Sequence, residues 1–181
     1  MEPQAADLEM ETGRPVDDPV TLFLVETIKE ATCFVSLDYD ADVVSCSQSA
    51  ALQASYAFSS GNAVTLARER FQCVEPLFNA SLSGDQPTLP SMITRSIALC
   101  DPAERDELWS NIVLCGGNTL LPNFPERLQQ ELMVMSPPNS VGLVVAPDRR
   151  NLAWLGGAIY ANLDHCRDRY GDLFCNCVEL S

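Results

Sequence analysis

The residues of this chain whose types and spacing could do chemistry fall in four places. The stretch NIVLCGGNTLLPNFPERLQQEL, residues 111–132, runs from an apolar strand through Gly116 and Gly117 into a polar turn and then a helix. Many phosphate-binding sites use these parts, because unpaired backbone N–H groups at a helix start attract anions. The pattern is neither GxGxxG nor GxxxxGK[ST], so a tight turn is the ordinary reading and nucleotide contact the alternative. The stretch LDYDADVV sets Asp38, Asp40 and Asp42 at alternate positions, like the opening of a calcium loop. Val43 stands where that loop needs glycine and Ser49 where it needs a bidentate glutamate, which leaves a solvated acidic turn.

The third place is the set of eight cysteines. Cys33, Cys100 and Cys115 lie in or beside apolar runs, where a thiol behaves as a small hydrophobe. Without a secretion signal they are expected to be reduced, in the cytosol. Cys175 and Cys177 are close in sequence but have no second pair, so no metal site is expected. The fourth place is His165, the single histidine. No GxSxG accompanies it and the sequence around it is arginine-rich, a poor setting for a general base. No catalytic group is expected.

Bulk composition narrows the classes further. The 181 residues suffice for one domain or two small lobes. Eleven Lys and Arg against 25 Asp and Glu give a net charge of −14. That balance argues against nucleic acid, which needs a basic face, and against an anionic membrane surface. No apolar run approaches the ~20 residues of a membrane helix. Residues 1–19 are acidic, lack an apolar signal core and read as a disordered tail.

The elements that must position these residues follow from periodicity. Leu22, Val25 and Ile28 have helical spacing. Residues 31–39 alternate like a strand. Residues 56–71 carry strand, Ser-Gly-Asn turn and strand, a hairpin signal. Residues 80–90 are rich in breakers. Met92, Ile93, Ile97 and Cys100 line one side of a helix, and residues 101–111 read as a short helix. Residues 111–117 read as a buried strand. Asn123 is placed as an N-cap, with Pro125 in the first turn and Glu126 completing a capping box. The helix that follows is expected to bury Leu128, Leu132 and Met135. Residues 140–147 read as a second buried strand. The last helix carries Trp154, Leu155, Ala158, Ile159 and Leu163 on one stripe. Strand, helix, strand, helix over residues 111–170 predicts a parallel pair with a right-handed crossover, an α/β unit.

Several blocks together resemble the actin family. VETIKEATCFVSLDYD, SYAFSSGNAVTLARERFQCVEPLF, SIALCDPAERDELWSNIVLCGG and VAPDRRNLAWLGGAIYANL are each similar to an actin segment, in the family's order, over roughly residues 20–170. The divergence is similar to that of testis-type actin-like proteins. The resemblance implies part of a ribonuclease-H-like actin fold: residues 20–84 as a subdomain-4-like helical and hairpin lobe, and residues 85–181 as a subdomain-3-like α/β lobe with a returning C-terminal helix. It also implies what each matching position would touch. Lys29 and Glu30 match the pair against ribose and base. Gly116, Gly117, Asn118, Thr119 and Leu120 match the turn beneath the nucleoside. Arg150 falls where the family holds a lysine over adenine, although a one-residue gap nearby blurs that register.

The family's two phosphate loops and its water-orienting residues precede the matching region, and no Asp-x-Gly hairpin occurs here. Charge-assisted phosphate contacts are the strong ones, so the resemblance implies a vestigial nucleoside cradle with weak ATP or ADP binding and no hydrolysis. No cofactor and no metal is expected. Leu82, Ser83, Gly84 and Asp85 replace the family's apolar plug, which argues against ordinary filament incorporation. Leu155, Ile159 and Leu163 match half of a partner cleft, with Arg169 where the family is apolar, and their plain alternative is core packing. The expected function is a non-enzymatic actin-like cytoskeletal or interaction protein, cytoplasmic, with actin or cytoskeletal assemblies as protein partners. Its alternatives are a weak ATP binder and a truncated product without a selected function. A partner is expected to cover the sheet edge left open by the missing half.

Overall fold

A computed structural model describes residues 13, 15, 18–84, 86–136 and 141–162. Residues 1–12, His165, Arg169, Cys175 and Cys177 lie outside the described residues, as does Asp85.

Helix α1, Pro19–Thr32, starts where Asp18 accepts the Val20 N–H and Pro19 fixes the first turn. Thr21 and Ile28 face inward with the half-buried Leu24. Leu22 is left exposed, so the expected Leu22–Val25–Ile28 stripe holds at Ile28 and the half-buried Val25 but not at Leu22. Helix α2, Tyr39–Gln48, is capped by Asp38, whose carboxylate accepts the Ala41 N–H. Asp40 and Asp42 then lie in its first turn, where the helix dipole favours them. The alternating acids are therefore a helix start.

Residues 33–37 between these helices form no ladder. Phe34 donates to the Arg70 carbonyl and Val35 to the Pro122 carbonyl. The Val35 and Ser36 carbonyls accept from Asn123 and Arg127 side chains. The period-2 alternation predicts a strand over residues 31–39, but the backbone groups of residues 34–36 are paired one by one with separate elements.

The predicted hairpin is present. β1, Ala54–Ala57, pairs antiparallel with β2, Ala63–Leu66, with Tyr56 opposite Val64. Gly61, at φ +93°, permits the turn. Helix α3, Glu69–Gln72, and a 3₁₀ turn, Glu75–Leu77, lead to the breaker-rich loop. Helix α4, Leu89–Ala98, buries Pro90 and Ile97 but leaves Met92 exposed, so the expected apolar side is narrower. Helix α5, Arg105–Ser110, buries Trp109.

β3, Ile112–Val113, and β4, Leu143–Val144, are parallel neighbours joined through helix α6, Phe124–Met135. Gly142 is required at the entrance to β4: a Cβ there would stand 2.2 Å from the Ser110 carbonyl oxygen. Helix α6 buries Leu128 and Leu132 completely, whereas Met135 is 45% exposed. The expected capping box is absent. Asn123 adopts a left-handed φ of 65° and makes no cap hydrogen bond, because its amide is spent on Val35. Helix α7, Leu152–Ala161, buries no residue. The strands are also less buried than expected: Val113 and Val144 are exposed.

The main core joins Cys33, Val35, Val74 and Phe78 to Ile97, Trp109, Leu114, Leu121, Phe124, Leu128 and Leu132. A smaller cluster of Ile28, Val64 and Leu66 lies between α1 and the hairpin.

Candidate functional site

Beyond β3, Leu114 is buried and the chain turns at Gly116, at φ +94°, a backbone state L residues rarely adopt. The Gly116 N–H donates to the Arg149 carbonyl at 2.8 Å. Residues Gly117–Leu120 form one 3₁₀ turn. The Thr119 hydroxyl and N–H both donate to the Gly116 carbonyl, at 2.8 and 3.1 Å. This self-bonding holds the turn without a bound group.

Arg149 fixes the same turn from outside. Its Nη2 donates to the Thr119 carbonyl at 2.8 Å and its Nε to the Thr119 hydroxyl at 3.1 Å. Sequence reasoning passed over Arg149 in favour of Arg150. The signal was the Arg-Arg doublet after Pro147 and Asp148, where one arginine can bind backbone while the next points away.

The predicted positions converge from three elements. Lys29, in the last turn of α1, donates through Nζ to Asn118 Oδ1 at 3.2 Å. Glu30 pairs with Arg150, Oε1 to Nη2, at 2.9 Å, each side chain about half exposed (48%). The Arg150 guanidinium also passes over Gly117, where a Cβ would lie 3.9 Å from Cζ. Lys29, Glu30, Asn118 and Arg150 thus meet in two pairs beside the turn that holds Gly116, Gly117, Thr119 and Leu120. An ammonium, a guanidinium and a carboxylate with exposed edges can accept hydrogen-bonding rings and hydroxyls. No cluster of three or more potential metal ligands occurs among the described residues.

Leu155 and Ile159 lie together on α7, 43% and 59% exposed, beside Trp154 at 75%. Leu163 lies outside the described residues. Among the described residues, α7 buries none of its side chains.

Comparison with known sequences places the chain in an actin-like class of protein. The model of the actin family matches residues 3–169, and the chain belongs to the actin family. Among its relatives is Actin-like protein 7B. The human and Macaca fascicularis forms are each 35% identical over 144 residues, covering 78% of this chain and 34% of theirs. The Mus musculus form is 36% identical over the same length. The chain thus spans about a third of the length of these relatives.

Proposed function

We propose that the chain acts as a non-enzymatic, actin-like interaction module within a cytoskeletal assembly in the cytoplasm. The observation that carries this reading is the uncovered apolar surface of α7, where Trp154, Leu155 and Ile159 stand open to solvent. Val113 and Val144 add exposed apolar side chains on the β3–β4 pair. Among the described residues the parallel pair has no third strand, and exposed apolar side chains beside it make a surface that gains from being covered. Family membership favours a cytoskeletal protein, actin itself included, as the partner. The catalytic side of the reading rests on sequence: within these residues no Asp-containing glycine hairpin offers to clamp phosphate.

The test is co-sedimentation with actin filaments, and gel filtration with monomeric actin. Binding in either assay that is lost in a Trp154→Asp/Ile159→Asp double variant supports the reading. Both side chains are exposed, so the fold should tolerate the change. Absence of binding in both assays, or binding indifferent to the double variant, sinks it.

A second reading has its own observation. The Lys29–Asn118 and Glu30–Arg150 contacts draw α1 and the α7 approach onto the glycine turn, as a vestigial nucleoside cradle would require. Added amide protection at residues 115–121 and 29–30 in millimolar Mg-ATP would support weak nucleotide binding. Unchanged exchange there would remove it.

A further inference from the structure

Outside the cradle, the sulfurs of Cys33 and Cys73 lie 3.6 Å apart, although 40 residues separate them. Cys33 closes α1, its N–H donating to the Lys29 carbonyl, and is 8% exposed. Cys73 follows α3 and is exposed. Both line a cavity of about 180 Å³ between α1 and the hairpin, with Val25, Ile28, Val64 and Leu66 as apolar wall. Lys29, Arg70 and Glu69 supply its charges. Arg70 is held in place: its Nε donates to the Thr32 carbonyl at 2.7 Å, its Nη1 to the Leu52 carbonyl, and its guanidinium lies over the Phe34 ring.

This arrangement has the parts of a reactive dithiol. The hydrogen bond from Cys73 lowers Cys33 to about 7, helped by Thr32, Lys29 and Arg70 and opposed by burial. The same bond raises Cys73, which keeps its proton. The cavity has room for a small hydroperoxide beside the otherwise buried Cys33. A disulfide needs the sulfurs about 2.05 Å apart, so the 3.6 Å approach must close by roughly 1.5 Å.

We propose that Cys33 and Cys73 form an oxidant-accepting dithiol that a hydroperoxide converts to an intrachain disulfide. The Cys33 thiolate attacks one oxygen of the hydroperoxide. A sulfur–oxygen bond forms, the oxygen–oxygen bond breaks, and the leaving alkoxide or hydroxide takes a proton from solvent. Cys73 then attacks the sulfenyl sulfur of Cys33. The disulfide forms, the sulfur–oxygen bond breaks, and water leaves with the Cys73 proton. Two electrons pass from the sulfur pair to the peroxide. The inference is independent of the nucleoside and partner readings.

The experiment treats the full chain with one equivalent of hydrogen peroxide, then alkylates and maps peptides by mass. A reductant-reversible Cys33–Cys73 linked peptide is expected, appearing several-fold faster than any oxidation of the exposed Cys115, and losing that lead in guanidinium. In the Cys73→Ser variant, Cys33 should accumulate as a sulfenic acid trapped by dimedone, with no linked peptide. Over-oxidation of Cys33 without linkage in the unmodified chain would overturn the proposal. So would linkage of Cys33 to another cysteine, or a rate for the pair that is the same folded and in guanidinium.

Discussion

Arg127 and Glu75 are bound two-to-two in the core: Nη2 to Oε1 at 2.9 Å and Nη1 to Oε2 at 3.3 Å. Glu75 is 1% exposed by its side chain and Arg127 10%. The guanidinium also donates to the Ser36 carbonyl and to Glu131, and lies over the Phe78 ring. One planar cation thus ties α6 to the extended segment after α1 and to the 3₁₀ turn before the breaker-rich loop. A lysine cannot do this, because it lacks the fork of fixed donors.

Removing Arg127 is expected to be far more damaging than its position on a helix would indicate. Arg127→Met leaves Glu75 buried without a partner, and the unfolding free energy should fall by about 3–5 kcal/mol. Burial already raises the Glu75 carboxyl above its ordinary range against the pull of Arg127. Folding therefore favours the protonated carboxyl, and stability from this group is present at low pH and lost as pH rises through the raised value. The Arg127→Met deficit should therefore shrink between pH 7 and pH 5, and Glu75→Gln added to it should recover part of the loss. Urea denaturation of the three variants at both pH values checks this.

Helix α6 offers a contrast of burial along one element. Leu128 and Leu132 are fully buried, whereas Val134 is 85% exposed. Leu128→Ala and Leu132→Ala should each cost about 2–5 kcal/mol. Val134→Ala should stay within about 0.5 kcal/mol. Equal shifts in denaturation midpoint across the three would contradict the assigned core.

Two glycines should fail for different reasons. Gly116→Ala meets no atom within 4 Å and only suffers its φ of +94°, a strain on the order of 1–3 kcal/mol. Gly142→Ala has no such backbone penalty but drives a methyl onto the Ser110 carbonyl. Amide exchange should show Gly116→Ala loosening residues 116–121 alone, and Gly142→Ala releasing both β3 and β4.

The thiol pair makes a pH prediction of its own. Alkylation of Cys33 by iodoacetamide should rise with an inflection at about 7, and in Cys73→Ser the inflection should move up toward the ordinary thiol range. The ordinary value is 9.0, so between about 7 and 9 the unfolded chain holds the Cys33 proton that the folded chain has released. Stability from this group is present above 9 and is lost as pH falls through about 7. Cys73 has the opposite sign: it keeps its proton when folded, so above 9 it subtracts from stability.

The legible part of this fold was the part governed by local period and local turn chemistry. The helix over residues 22–30, the hairpin and the parallel order of β3 and β4 all follow from apolar spacing and breakers. Tertiary pairing overrode the rest. Residues 33–37 have strand periodicity, yet their N–H and C=O groups are claimed by Arg70, Pro122, Asn123 and Arg127. Asn123 has N-cap chemistry, yet its amide is more useful holding Val35 than capping its own helix. At the site, the resemblance indicated Lys29, Glu30, Asn118 and Arg150 by number, and the structure brings their side chains into contact. Arg149 was missed because a backbone-binding arginine has no periodic signature. The Cys33–Cys73 approach was missed because no spacing rule joins a helix end to a loop 40 residues later.

The parallel pairing of β3 with β4 also has a consequence in time. Ile112 meets Leu143 only after the whole of α6 has been laid down between them, and the pair has only two residues per strand to reward that closure. Helix α6 can form its turns early and locally, and its Leu128 and Leu132 can collapse onto Phe78 and Trp109 before any strand register exists. The sheet is therefore expected to form late, on a helical nucleus, and amide exchange of Ile112 and Val113 should be faster than that of Leu128 and Leu132.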